Sequence, residues 1–140
     1  MNTILVPVDF SDVTPRVVKA AAQLAKPFGS KLILLHVAED ARPALPSGSA
    51  PAGLKAVSGQ LEQLQQLVGS LGLESVAVEL TGPPMNQIMT QAEGRRVDLI
   101  VLGTHGRGPL YHLFAGGVLD GILRRARCPV LVVPLAGAET

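Results

Sequence analysis

A chain of 140 residues is about one domain's length and can bury roughly two-thirds of the surface its unfolded form exposes, so neither disulfide nor metal is needed for folding. Apolar residues at 47% against charged residues at 16% exclude intrinsic disorder. A net charge of +1, no Trp and one Tyr exclude a surface built to neutralise nucleic-acid phosphates or to stack bases.

Met1-Asn2-Thr3 leads directly into Ile4-Leu5-Val6, without the basic and apolar regions of a secretory leader. No apolar run approaches the ~18–20 residues of a membrane span, so the expectation is a soluble, cytoplasmic protein. The first run, 3–8 (TILVPV), reads as a strand ending at Asp9. Val17, Ala21, Leu24 and Phe28 then recur at helical spacing, with Thr14-Pro15 or Ser11-Asp12 as the start signal and Gly29 as the stop. A second strand is predicted over 31–37 (KLILLHV). The stretch 41–53 (ARPALPSGSAPAG) reads as a mobile connection. Leu54, Val57, Leu61, Leu64, Val68 and Leu71 follow as one amphipathic helix stopped by Gly72.

The third strand, 75–80 (SVAVEL), alternates and carries Glu79, the pattern of an outer strand with one wetter face. Ile88, Met89 and Ala92 mark a short helix ending at Gly94, and 97–103 (VDLIVLG) a fourth strand. Val118, Ile122, Leu123 and Ala126 mark the last helix, and 129–134 (PVLVVP) the last strand. Four of the five strands are almost continuously Leu, Ile and Val, as strands covered on both faces of a parallel sheet are. The alternating order of strands and helices predicts a single α/β sandwich over 1–140 with right-handed crossovers.

In such sheets ligands sit beyond the carboxyl ends of the strands, where strand order reverses. Two strand ends carry suitable chemistry: Asp9 closes the first, and Gly103-Thr104-His105-Gly106-Arg107-Gly108 follows the fourth. That second segment leads through 109–115 to Gly116-Gly117 at the head of the last helix. Glycines let backbone N–H groups approach an anion, and a helix N-terminus favours one, so the pattern suits a phosphate cradle in two parts. The P-loop signature is absent, and the turn Asp9-Phe10-Ser11-Asp12 lacks the glycines of a dinucleotide fingerprint.

Gly103-x2-Gly106-x9-Gly116, with Gly117-Val118 after it, the ending Arg127-Cys128-Pro129-Val130, the opening Ile4–Asp9 and the pair His36-Val37, resembles the nucleotide-binding branch of the universal stress protein family, whose pattern is G-x2-G-x9-G-[S/T]. The resemblance spans the whole chain. It implies a five-stranded parallel sheet of order 3-2-1-4-5, of Rossmann-like type, binding ATP or AMP. By it Pro7, Val8 and Asp9 lie at the nucleoside end and Val37 contacts adenine, while Leu102, Gly103, Gly106, Gly116, Gly117 and Val118 surround ribose and phosphates. One position departs: where the family has Ser or Thr, this chain has Gly117, so only a backbone N–H is offered there. A hydrogen bond to a charged group contributes ~1.5–3 kcal/mol, which predicts weaker phosphate binding than in a relative with Ser.

Asp9 could cap the first helix or touch a ligand, and its place at the end of a central strand favours the ligand. His36, His105 and His112 lack metal spacing, so any Mg²⁺ would ride on the nucleotide's phosphates. His105 has no neighbouring serine or cysteine with which to make a nucleophile pair. Arg107 reads as a solvated loop cation, and Arg124, Arg125 and Arg127 complement the last helix's dipole. Cys128 reads as a buried small residue. The strand 129–134 would be a sheet edge without charge, which favours a twofold homodimer through it, also the family's usual arrangement. The expected function is an adenine-nucleotide-binding regulatory protein. The alternatives are a slow ATPase or self-phosphorylating enzyme, and an interaction protein with a vestigial pocket. A phosphoaspartate receiver is excluded because Leu80-Thr81-Gly82 and Pro134-Leu135 stand where it needs an acid and a lysine.

Overall fold

The computed structural model describes residues 1–38, 54–55, 57–103 and 117–134. The elements run β1 (Thr3–Val8), α1 (Thr14–Phe28), β2 (Lys31–Ala38), β3 (Leu54–Lys55), α2 (Gly59–Ser70), β4 (Ser75–Thr81), α3 (Pro84–Gly94), β5 (Leu99–Gly103), α4 (Gly117–Arg125) and β6 (Val130–Val133). The sheet order is β3-β4-β2-β1-β5-β6. Its five parallel strands, β4-β2-β1-β5-β6, have the order 3-2-1-4-5 that the sequence resemblance implies.

Period-two alternation explains why the central strands carry so few polar residues: both faces are covered. Ile4, Val6, Val8, Leu32, Leu34 and Val101 pack toward α1 and α2 with Val17, Ala21, Leu61 and Val68. Leu5, Ile33, Leu35, Val37, Ile100 and Leu102 pack on the other face with Ile88, Met89 and Ile122 of α3 and α4. Full burial of each Leu or Ile contributes ~1.5–3 kcal/mol, so β1 and β2, with every interior residue buried, dominate the fold's stability.

Several expectations shift. The predicted second helix starts later, at Gly59, where the Ser58 hydroxyl accepts from Leu61 N at 3.2 Å and caps it. Leu54 belongs instead to β3, a two-residue antiparallel strand opposite Leu80 and Glu79. That strand moves β4 off the sheet edge, and Glu79 is buried at 3% exposure instead of facing water. In α1 the buried stripe is Val17, Val18, Ala21, Ala22 and Ala25, while Leu24 and Phe28 are exposed. Leu123 of α4 likewise faces outward, and Ile122 takes the core position. The stretch 41–53 lies outside the described residues. Gly29 closes α1 at φ 63°, as its place after the apolar stripe predicts. α3 ends at Gly94, but its left-handed residue is Arg96 at φ 51°.

Candidate functional site

β1 lies between β2 and β5, so the chain leaves its first strand in one direction and returns on the opposite side. The crevice between the carboxyl ends of β1 and β5 is therefore the point where strand order reverses, the ligand position of open α/β sheets. Asp9 stands at the tip of β1, 3% exposed. Its Oδ1 accepts from Ser11 N at 3.0 Å and from the Thr14 hydroxyl at 3.4 Å. Those bonds hold a tight turn that needs no glycine, because Phe10 takes the left-handed conformation at φ 59°. Val13 is the N-cap of α1, without a side-chain cap bond, so Asp9 braces the helix start from outside it.

Pro7 and Leu102 lie two residues beyond the paired Leu5 and Ile100. Val37, Leu102 and half-buried Val118 share the apolar cluster on the α3–α4 face, whereas Val8 faces α1. Gly103 ends β5 beside the start of α1. A Cβ there would fall 2.7 Å from Val13 Cγ1 and 2.9 Å from Val17 Cγ2, so helix packing requires glycine at this place. Gly117 is the first residue of α4. Gly106 and Gly116, with His105, Arg107 and His112, lie outside the described residues.

The sequence reading missed a buried polar pair beside this crevice. The register puts Val8, His36 and Glu79 level across three strands. His36 Nδ1 donates to Glu79 Oε2, and Glu79 Oε1 accepts from Ser58 N at 3.2 Å, tying β2, β4 and the start of α2 together. Phe10 packs on the imidazole at a centroid distance of 4.3 Å. Among the described residues, His36 Nε2 and the Ser11 hydroxyl are buried without a hydrogen-bond partner. The signal available in the sequence was a lone Glu within an apolar run, legible only alongside the register that brings His36 opposite.

At the other end of the sheet, Asp98 Oδ2 accepts from Asn2 N at 2.7 Å and Thr3 N at 3.0 Å. The Thr3 amide above all, then that of Asn2, holds this carboxyl below its usual range. Cys128 is half-buried; desolvation, then Asp98, pushes its thiol up. Arg124 pairs with Asp120 at 3.1 Å, and Arg125 reaches Met85 Sδ at 3.5 Å. Among the described residues no three His, Cys, Asp or Glu converge to hold a metal, and no helix is long and apolar enough to cross a membrane.

Residues 1–134 match the universal stress protein family. A universal stress protein of Methanocaldococcus jannaschii, MJ0531, is 32% identical over 136 residues, covering 93% of this chain and 80% of the relative. Another from Thermus aquaticus is 32% identical over 137 residues, covering 94% and 98%. Among solved structures, a universal stress protein in complex with cAMP superposes with a TM-score of 0.71 at 23% identity, covering 94% of this chain and 96% of that one. One from Archaeoglobus fulgidus in complex with dAMP gives 0.65 at 22% identity, covering 95% and 98%. With the switch-point sheet and a match along nearly its whole length, the chain belongs to the universal stress protein family.

Proposed function

We propose that this protein binds an adenine nucleotide, ATP or AMP, at the carboxyl edge of its sheet, and acts as a cytoplasmic, homodimeric, single-domain regulator whose surface responds to the bound state. The observation that carries this reading is the juxtaposition of the β1 and β5 tips at the strand-order reversal, with α4 beginning at Gly117. The cAMP and dAMP complexes of two structural neighbours support the ligand class.

In this reading Pro7, Val8 and Asp9 border the nucleoside, and Val37 contacts adenine. Leu102, Gly103, Gly106, Gly116, Gly117 and Val118 surround ribose and phosphates. Gly103 contributes its backbone, its Cβ space being taken up by α1. The first N–H groups of α4 offer the phosphates unpaired donors and the positive end of a helix dipole. Mg²⁺ would accompany the phosphates.

Isothermal titration with ATP and AMP, alongside mass spectrometry of small molecules released from the purified protein, tests the reading. Saturable binding of adenylates and not of pyrimidine nucleotides is expected. Gly117→Ser restores a hydroxyl donor and should tighten ATP binding by about 10–100-fold. No released adenylate and no binding heat would leave the family fold with a vestigial pocket.

A further inference from the structure

We propose that the amino-terminal edge of the sheet, opposite the nucleotide crevice, carries a second ligand site, for a compact apolar molecule bearing one carboxylate. A cleft of about 200 Å³ lies where the end of α3 meets the starts of β5 and β6. Its floor is Met89, Ala92, Val97 and Ile100, none more than 8% exposed. Cys128 forms a wall, and Glu93, Arg96 and Arg127 stand exposed at the rim.

Charge decides the class of occupant. Arg95 is bonded to Gln91 at 2.7 Å and Arg124 is paired with Asp120, but among the described residues neither Arg96 nor Arg127 has a carboxylate partner. The neighbouring acid, Asp98, is already engaged by the amides of Asn2 and Thr3. Two guanidinium groups without a carboxylate partner offer an anion direct pairing, while Glu93 at the rim and Asp98 beside Cys128 oppose added negative charge, so a monoanion is favoured over a phosphate dianion. Guanidinium forks also fit a planar carboxylate through two parallel hydrogen bonds.

Size and shape agree. A cavity of about 150 Å³ lined by aliphatic groups accommodates benzene, so this cleft accommodates one ring and its acid head. The helix end shapes it: Val97 N donates to Ala92 O at 3.1 Å, folding Val97 back beneath the cleft. Arg96 occupies the left-handed position at φ 51° that Gly or Asn adopts more cheaply, and this sets its side chain at the rim. Burial keeps the Cys128 proton on, so the wall is a neutral thiol that does not repel an anion.

The test is a ¹⁵N-resolved NMR titration of the intact protein with sodium benzoate as probe, benzyl alcohol as its neutral counterpart and phenyl phosphate as the dianion. Benzoate should shift the amides of Ala92, Val97 and Cys128 saturably while leaving Asp9 and Gly103 unmoved. Arg96→Gln with Arg127→Gln should weaken benzoate by about 10-fold or more without changing the melting temperature. Absence of saturable shifts at those amides, or equal binding by the double variant or by benzyl alcohol, overturns the site. Tighter binding of phenyl phosphate overturns the carboxylate assignment. Because ATP is expected to move Asp9 and Gly103 instead, failure here and failure of the nucleotide reading are separately visible.

Discussion

At the scale of single residues, Gly103 joins a proposed ligand role to a packing requirement. Its spacing from Gly106 and Gly116 suggests a phosphate contact, and its place against α1 adds a packing reason that stands without any ligand. A methyl group 2.7 Å from Val13 Cγ1 and 2.9 Å from Val17 Cγ2 forces α1 away from β5. Gly103→Ala should therefore lower stability by about 1–3 kcal/mol, read as an earlier denaturant midpoint. Adding Val13→Ala should restore part of the loss, because the two sites share one space. Asp98 makes a different kind of prediction. Its folded-state pKa lies below the unfolded value, so its contribution is fully present above about pH 4 and disappears as pH falls through the lower, folded value. Asp98→Asn should be less stable than wild type by a constant margin from pH 5 to 8, and the two melting curves should converge at lower pH. The group is exposed, so added salt should narrow the margin. A margin that grows on acidification would show that the two backbone amides are not what holds the carboxylate ionised.

At the scale of elements, what the sequence revealed depended on whether a residue's partner lay within its own segment. The apolar runs of β1, β2 and β5 declared themselves because every neighbour is apolar, and Gly29 declared the end of α1 because a left-handed cap is a local matter. Glu79 was misjudged because its partners, His36 and the Ser58 amide, lie 43 and 21 residues away. Alternation alone assigns such a carboxylate to water. Leu54 was misjudged similarly: helical spacing counted it in α2, whereas pairing with Leu80 draws it to the sheet edge. The buried pair now carries a prediction about how β2, β4 and α2 cohere. Glu79→Leu leaves His36 Nδ1 and Ser58 N without their acceptor and should cost about 3–5 kcal/mol. The double variant His36→Leu with Glu79→Leu should recover much of that, short of the Ser58 bond, since an apolar pair replaces a polar one. A double variant as unstable as the single one would mean that packing of Phe10 on the imidazole, and not the hydrogen-bonded pair, holds this corner.

At the scale of the whole molecule, the sheet order was legible because parallel strands need crossovers of one hand and the resemblance supplied the sequence of strands. Of the proposed site, only the strand-tip places of Asp9 and Gly103 were legible, not a role toward a ligand. Asp9 and Gly103 lie where the topology requires, while Gly106 and Gly116 fall outside the described residues. The same topology leaves β6 paired on one side only, to β5, as the terminal strand of the sheet. Its uncharged Val130-Leu131-Val132-Val133 exposes Leu131 at 38%, and its outer backbone groups have no partner strand among the described residues. An uncharged edge of this kind favours pairing with another chain, and natural edges are most simply blocked by lysine. We therefore expect sedimentation velocity across a dilution series to show a dimer that dissociates with dilution. Leu131→Lys should shift that equilibrium toward monomer at least 10-fold, because the pair would bring two ammonium groups near the twofold axis. Its melting temperature at monomeric concentrations should stay close to wild type, since the side chain is already partly exposed. If wild type sediments as a monomer throughout, the β6 edge is solvated as it stands. If Leu131→Lys dimerises as well as wild type, the copies meet on some other face.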